Sequence, residues 1–409
     1  MIRRSVSPHP AGWRGCGVSG SDRATIAITS KGARGRGETR NPSPGGEVQD
    51  GVAVRDIDEP SGAEQAPDES ASPRRSGISR RALVFGGVAV GGLAALGGGA
   101  LVYRQIRRSA PPEGTWVKLS PIVPVPDASP RAPSPALEEP GEDTTVAVWA
   151  HADDDIIFAN PHLAGIIGSG ATLRTVFVTA GDAGRGLGYA QQREAGIRAA
   201  YDEMRGSTQP WNTSQLTLRS GARVTRFVPA DDPRLSITVL RLPDGNLSGK
   251  GFPTTGEAGL TQLINGTVPA LAPIDDGPTL DARRLSETIA ELIHAGRPDR
   301  ITTNIPHESA FARGDHPDHS CVGSLVRAVA PVVGIAPEAV TYYIGYPSQH
   351  EPINVEGEAL DEKVDVYATY AAQDPVVTCD SAAACLAQPG FGQWLRRSYG
   401  KAEGELRLT

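Results

Sequence analysis

The sequence has 409 residues and a formal net charge of −7 at pH 7, with 40 Lys and Arg against 47 Asp and Glu. This acidic balance argues against nucleic acid as a partner, because the phosphate backbone attracts basic surfaces. The 34 prolines and 48 glycines are concentrated towards the first third of the chain, so we expect fewer domains than the length alone allows.

The first 78 residues show almost no apolar periodicity and are rich in Arg, Ser, Gly, Pro and Asp. Such a segment cannot bury enough apolar surface to offset the entropy of ordering the chain. We therefore predict a disordered tail over residues 1–78.

An apolar run follows the tail. Residues 82–103 are uncharged, and as a helix they would reach roughly 33 Å, about the thickness of a hydrocarbon core. The stretch "SRRALV", Ser79 to Val84, also resembles a twin-arginine export signal. We predict a signal or transmembrane anchor over residues 79–108, membrane contact through residues 82–103, and an extracytoplasmic position for the following domain. The alternative is a buried core helix, which the many glycines disfavour.

Prolines recur through residues 109–142. This composition favours an extended, semi-rigid geometry at about 3.1 Å per residue. We therefore predict a Pro-rich linker that separates the membrane segment from a domain over residues 143–409.

From residue 143 onward, short apolar runs alternate with amphipathic segments. The pattern predicts helices over residues 156–167 and 189–204 and in "ARRLSETIAELIHAGRPD" and "SCVGSLVRAVAPVVG". It predicts strands in "TVAVWA", "TLRTVFVTA", "RVTRFV", "LSITVLRL", "RITTNI" and "AVTYYIGYP". This alternation indicates an α/β fold with a Rossmann-like, mostly parallel sheet and helices on both faces. Ligands of such sheets bind beyond the carboxyl ends of the strands.

The stretch "TTVAVWAHADDD" ends an apolar strand in His151 followed closely by three aspartates, Asp153, Asp154 and Asp155. Adjacent carboxylates raise one another's pKa values unless a cation or hydrogen-bond donors compensate. A metal ion held at this strand end would remove that cost.

A second cluster lies in "GDHPDHS", which contains His316, Asp318 and His319. Pro317 suits the first position of a helix, so these side chains are expected at a helix start on the same rim of the sheet. Either cluster alone is a weak signal. Together they supply the imidazole and carboxylate ligands of a catalytic zinc.

These two motifs resemble signatures of the PIG-L/LmbE-like N-acetylglucosaminyl deacetylases, "AHADDD" the AHPDDE signature and "DHPDHS" the H-x-x-H signature. The resemblance runs from about Thr144 to Gln373 and includes "TAGDAGRG" and "LPDGN". It implies one Zn²⁺ per chain, with His151, Asp154 and His319 as the ligands.

The resemblance also implies the roles of other residues. Asp153 matches the general base and His316 the residue that stabilises the transition state. Arg193 matches a substrate-contacting arginine, and Asp244 is a further candidate of that kind. Asp155 and Asp318 are expected to support the metal ligands.

Three positions depart from the family pattern. Ala152 replaces a proline, Asp155 replaces a glutamate, and Gly196 stands where a glutamate follows the substrate arginine. Neither a metal ligand nor the base is lost, so we expect metal binding to be retained. The changes at Asp155 and Gly196 bear on metal affinity and substrate identity respectively.

The function implied by the resemblance is removal of the N-acetyl group from an N-acetylglucosamine-type amino sugar in a glycan or glycoconjugate. Two alternatives stay open at this point. One is an amidase for another sugar-linked amide. The other is a non-catalytic exported module that binds a sugar through "GDAGRGLG".

The four cysteines are scattered. Cys379 and Cys385 are close enough in sequence for a small disulfide loop if the domain lies outside the cytoplasm, and the sequence leaves that pairing open. Cys16 lies in the predicted tail. Cys321 is expected to be a small buried residue and not a metal ligand.

Overall fold

The computed structural model describes residues 119–122, 137 and 141–409. The predicted tail over residues 1–78, the signal or anchor over 79–108 with its span 82–103, and most of the linker over 109–142 lie outside the described residues. Across the part of the chain that is described, no helix combines the length and apolar character needed to cross a membrane.

Within residues 141–409, eight strands form one mixed sheet in the order β3-β4-β5-β2-β1-β6-β7-β8. The strands are β1 Thr144–Trp149, β2 Thr172–Thr179, β3 Trp211–Thr217, β4 Arg223–Pro229, β5 Leu235–Leu242, β6 Arg300–Asn304, β7 Val340–Tyr343 and β8 Gly400–Ala402. The central run from β5 to β7 is parallel, and the pairs β3–β4, β4–β5 and β7–β8 are antiparallel. The predicted mostly parallel sheet is confirmed.

Helices cover both faces of this sheet. They are α1 His162–Gly168, α2 Leu187–Arg205, α3 Leu260–Ile264, α4 Ala282–Gly296, α5 Pro317–Val329, α6 Glu358–Ala371, α7 Ala382–Ala387 and α8 Phe391–Leu395. Successive residues of a strand point to opposite faces. Val146 and Val148 therefore share an apolar core with α4 and α5, while Ala147 and Trp149 share a second core with α1, α2 and α6.

The prediction of one continuous helix over residues 156–167 is wrong. A π-helical turn, Asp155–Ala159, is followed by α1, which begins at His162. Proline has no amide hydrogen and disfavours the helical conformation in the residue before it. Asn160, which precedes Pro161, is accordingly extended with φ −68° and ψ 142°.

Some residues of the predicted linker contact the domain. Leu119 and Ile122 pack against the core that contains Val146, and Leu137 is buried in it. The amide of Ser120 donates a hydrogen bond of 2.7 Å to Oδ1 of Asn265. At these points the chain lies on the domain surface.

Cys379 and Cys385 form a disulfide with a Cα–Cα distance of 5.2 Å. The bond closes the loop that carries α7, and Cys385 is buried in the core beside α6 and α8. Cys321 is a buried free thiol, as expected from its position on an apolar helix.

The chain order creates a crevice at one end of the sheet. From β1 the chain moves to β2 on one side and later returns to β6 on the other side. Such a reversal leaves an opening beyond the carboxyl ends of the two adjacent strands, here β1 and β6. Both histidine motifs follow these two strands.

Candidate active site

The turn after β1 brings two predicted metal ligands together. The amides of Asp153 and Asp154 donate to the carbonyl oxygen of His151 at 2.9 and 3.2 Å. In return, Oδ2 of Asp154 accepts the amide hydrogen of His151 at 2.9 Å. These local bonds place the His151 and Asp154 side chains on the same side of the turn, and both are buried.

Asn304, the last residue of β6, fixes this turn from the neighbouring strand. Its Oδ1 accepts the amide hydrogen of Ala150 at 3.0 Å, and its Nδ2 donates to Oδ2 of Asp154 at 3.4 Å. Asn304 was not predicted as a site residue from the sequence. Its only signal was a polar residue at the carboxyl end of a strand.

The second motif forms the start of α5. His316 caps the helix, because its Nδ1 accepts the amide hydrogen of Asp318 at 3.1 Å. Pro317 occupies the first helical position as predicted, where its missing amide hydrogen costs nothing. His319 follows in the first turn, with its side chain fully buried.

Three atoms from the two motifs converge. Nδ1 of His151 lies 3.2 Å from Nε2 of His319. Oδ1 of Asp154 lies 3.0 Å from Nε2 of His319 and 3.5 Å from Nδ1 of His151. Tetrahedral zinc with bonds of about 2.0–2.1 Å separates its ligand atoms by about 3.3 Å. The His151, Asp154 and His319 atoms therefore fit the ligand set that the sequence predicts.

Two other groups of possible ligand atoms lie within 4.8 Å of one another. One group consists of His151, His316 and His319, and the other of His151, Asp244, His316 and Asp318. In both groups, Nδ1 of His316 is already used in capping α5. The His151, Asp154 and His319 atoms lie within 3.0–3.5 Å of one another, so we take these three residues as the candidate metal site.

A carboxylate lies next to each of the two histidines that are predicted to bind the metal. Oδ2 of Asp318 lies 3.4 Å from Nε2 of His151 and accepts the amide hydrogen of Gly245 at 2.8 Å. Oδ1 of Asp315 lies 2.8 Å from Nδ1 of His319. Such carboxylates fix the orientation of a metal-binding imidazole and raise its basicity.

Asp315 was not identified from the sequence. It also accepts the amide hydrogens of His316 and Tyr346. The available signal was its spacing, because a carboxylate four residues before His319 can reach the imidazole around the helix start.

The charges in the cluster are strongly perturbed. Burial by itself lowers the pKa of His319, but Asp154 and Asp315 outweigh it and raise this pKa to about 10. Burial likewise opposes ionisation of Asp154, yet His319 and His151 hold its pKa well below the usual range. The site thus stabilises positive charge between its carboxylates, as a bound cation would require.

Asp153 points to a different set of partners from Asp154. Its Oδ1 forms an ion pair with Nη2 of Arg193, and both side chains are buried. Burial raises the pKa of Asp153, while the Arg193 guanidinium opposes that rise. The predicted base and the predicted substrate arginine are therefore direct neighbours.

His316 lies beside Asp244. Burial and the neighbouring His151 lower the pKa of His316 to about 4, so this imidazole is neutral near pH 7. Because Nδ1 accepts the Asp318 amide hydrogen, the ring proton resides on Nε2. His316 can therefore donate a hydrogen bond without carrying a charge.

Asp244 also contacts the glycine loop after β2. Its Oδ2 accepts the amide hydrogen of Ala183 at 3.2 Å, and its Oδ1 accepts that of Asn246 at 2.7 Å. The structure thus brings Asp244 to the edge of the cluster, next to His316.

Asp155 has other partners than the metal ligands. Its Oδ2 accepts the Tyr201 hydroxyl hydrogen at 2.8 Å, and its Oδ1 accepts the amide hydrogen of Ile156. Burial raises its pKa to about 7. Neither bond reaches a histidine of the cluster, so these contacts tie Asp155 to the core beneath α2.

Two glycines make room for the supporting carboxylates. A Cβ built at Gly345 would lie 2.6 Å from Oδ2 of Asp315 and 2.7 Å from Nδ1 of His319. A Cβ at Gly245 would lie 3.1 Å from Cγ of Asp318. Larger residues at these two positions would displace the groups that orient the histidines.

Comparison with known proteins identifies the class. Residues 146–330 match the family model PIG-L, described as GlcNAc-PI de-N-acetylase. The buried histidine and aspartate cluster at the crevice of the sheet lies within this region. The protein is thus a hydrolytic N-deacetylase. Its residues 146–330 are similar to the PIG-L family.

Several solved structures are similar at low sequence identity. The N,N'-diacetylchitobiose deacetylase from Pyrococcus horikoshii is 13% identical with a TM-score of 0.35, covering 66% of this chain and 87% of that one. The A40926 pseudoaglycone deacetylase Dbv21 is 15% identical with a TM-score of 0.34, covering 56% and 82%. The conserved protein TT1542 from Thermus thermophilus is 16% identical with a TM-score of 0.33, covering 63% and 92%. No curated protein gave a significant sequence match.

Proposed function

We propose that this protein is a zinc-dependent deacetylase that removes the N-acetyl group of an N-acetylglucosamine-type amino sugar in a glycan or glycoconjugate. One observation carries the proposal. Three ligand atoms, from His151, Asp154 and His319, lie within 3.0–3.5 Å of one another, and Asp153 follows in the same turn.

Two imidazoles and one carboxylate are the ligand types of a catalytic zinc with an open position. His151, Asp154 and His319 would hold one ion per chain. A metal ion held there would supply a Lewis acid that polarises the acetyl carbonyl and makes water more acidic. Asp318 and Asp315 would keep the two imidazoles in the orientation that ligation requires.

Side chains of the protein then carry out the proton transfer and the hydrogen bonding that the reaction requires. Asp153 takes a proton from the attacking water and later delivers it to the leaving amine nitrogen, a role that typically contributes about 10²–10⁴-fold. His316 donates its Nε2 hydrogen to the oxygen on which negative charge develops. A neutral imidazole can donate this hydrogen bond, which agrees with the low pKa of His316.

The substrate class is supported by the description of the matching family, which names an N-acetylglucosamine derivative. Asp244 lies next to His316 and the glycine loop. It is our candidate for a contact with the sugar.

Acetate release from N-acetylglucosamine and from short N-acetylglucosamine oligomers tests the proposal. We expect release that stops after chelation and returns when Zn²⁺ is added, while the Asp153→Asn variant releases acetate more slowly by about 10²-fold or more, with or without added Zn²⁺. Hydrolysis of other sugar-linked amides alone would favour the amidase alternative. Sugar binding without any acetate release would favour the binding module.

We also propose that the domain is exported and held at a membrane by residues 82–103. The Cys379–Cys385 disulfide supports this, because such bonds persist mainly in oxidising compartments. Protease added to intact cells should remove the domain. Recovery of the full-length chain in the cytosolic fraction would contradict the proposal.

A further inference from the structure

Arg193 is enclosed by the protein. Its Nε donates to the Tyr370 hydroxyl oxygen at 2.7 Å, and its Nη1 donates to the carbonyl oxygen of Gly181 at 2.6 Å. Its Nη2 pairs with Oδ1 of Asp153. Each of the three guanidinium nitrogens therefore has a protein acceptor, and the residue is only 9% exposed.

A second layer fixes this arrangement. Oδ2 of Asp374 accepts the Tyr370 hydroxyl hydrogen at 3.1 Å and lies 3.7 Å from Nε of Arg193. Oδ1 of the same carboxylate accepts the hydroxyl hydrogen of Tyr189 at 2.9 Å and the amide hydrogen of Val376 at 2.8 Å. The positive charge of Arg193 thus lies between two carboxylates, Asp153 and Asp374.

Two glycines provide the space for these contacts. A Cβ built at Gly196 would lie 2.8 Å from both Cδ2 and the carbonyl oxygen of Tyr370. A Cβ at Gly181 would lie 3.1 Å from Cζ of Arg193. Gly196 is one of the three positions where the sequence departs from the family pattern. A glutamate there would collide with Tyr370 and prevent the contact between Tyr370 and Arg193.

We propose that Arg193 in this chain is a positioning residue for Asp153, held by Tyr370 and Asp374, and that it does not contact substrate. The inference rests on the proposed function, in which Asp153 is the base. The ion pair occupies Oδ1 of Asp153, so proton transfer falls to Oδ2. A base held in this way keeps one orientation towards the attacking water.

The Tyr370→Phe variant tests this role, because it removes one hydroxyl group and leaves the ring packed on Gly196. We expect kcat to fall about 10-fold to 100-fold, with KM within about twofold of wild type and unchanged metal content. Tyr367→Phe is the matched control. It lies on the same helix, and its hydroxyl donates to Gln388 Oε1 at 3.2 Å, so we expect wild-type kcat.

The Arg193→Lys variant extends the test. It keeps the positive charge but loses the planar guanidinium group, whose three nitrogens each contact a protein acceptor. We expect the same pattern of lowered kcat and unchanged KM. A raised KM with wild-type kcat in Tyr370→Phe or Arg193→Lys would show a substrate contact and overturn the inference.

Failure of the proposed function is recognised separately, as a wild-type protein that releases no acetate. The inference is then decided by a double-mutant cycle of melting temperatures with Asp153→Asn and Tyr370→Phe. Arg193 contacts both residues, so we expect the Tm shifts not to add. Additive shifts would overturn the inference.

Discussion

Oδ1 of Asp315 lies 2.8 Å from Nδ1 of His319, so the carboxylate that precedes α5 holds the imidazole that the first turn of α5 presents. The opposite nitrogen of that ring, Nε2, faces Asp154 and His151. One hydrogen bond thus determines which nitrogen of His319 is free to bind a metal.

Replacing Asp315 by asparagine should therefore weaken metal binding while leaving every ligand in place. We expect a loss of about 10-fold to 100-fold in affinity, as is typical when such a supporting partner is removed. Titration against a competing chelator measures it. Asp231→Asn is the control, because Asp231 is an exposed partner of Arg205 and should bind metal like wild type. Equal affinities in the two variants would contradict the role of Asp315.

The adjacent residues Asp153 and Asp154 should separate into two functions. Asp153→Asn keeps the shape of the side chain and removes the proton acceptor, so metal content should be retained and turnover should fall about 10²-fold or more. Asp154→Asn should lose both metal and activity. Metal analysis and acetate release on the same preparations give the answer. If Asp153→Asn loses metal and Asp154→Asn keeps it, the two roles are exchanged.

Lys363 should make stability depend on pH. Its side chain is buried with Nζ donating to the Arg397 carbonyl oxygen at 2.8 Å, and burial lowers its pKa to about 7. Between that value and the unfolded pKa of about 10.4, the unfolded state binds more protons. The free energy of unfolding contributed by Lys363 should thus rise with pH by roughly 1.4 kcal/mol per unit.

Urea unfolding at several pH values between 7 and 10 tests this prediction. The Lys363→Met variant should show a flatter rise of stability with pH than wild type. Lys250→Met, a change at an exposed lysine, should follow wild type. A Lys363→Met protein with the wild-type slope would show that Lys363 does not titrate in this range.

The disulfide should stabilise the region around α7. Closing so short a loop is worth about 2 kcal/mol in the chain-entropy account. We expect the double variant Cys379→Ala/Cys385→Ala to have a free energy of unfolding lower than that of wild type by about 2 kcal/mol. A reductant should lower the Tm of wild type but not that of the double variant. Alkylation of unreduced, unfolded protein should leave both cysteines unmodified. Labelling at either position would contradict the bond.

Much of the fold could be predicted from the sequence, because the buried parallel strands are marked by apolar runs. The strand β3 was missed, since "WNTSQLT" is polar and largely exposed. Its position depends on antiparallel pairing with β4. The break between Asp155–Ala159 and α1 was also missed, although Pro161 was a signal for it.

For the site, the sequence predicted which side chains come together but not all of their partners. His151, Asp154 and His319 lie close together, and their role as metal ligands stays a prediction. Asp155 was predicted to support the ligands, and its bond to Tyr201 could be learned only from the packing of α2. The enclosure of Arg193 depends on Tyr370, which lies 177 residues away in the sequence.

Because β1 and β6 are adjacent in the sheet but far apart in the chain, the candidate metal site forms only when the two strands have paired. His151 and His319 are 168 residues apart in the chain, so a partly synthesised chain that ends before β6 offers only two of the three candidate ligands. Metal binding by all three residues would therefore follow the pairing of these two strands. Because the ion would then bind the folded state and not the unfolded one, a concentration of 100 times its Kd would add about 2.7 kcal/mol to stability. Metal supply would in this way set how much of the newly made protein remains folded.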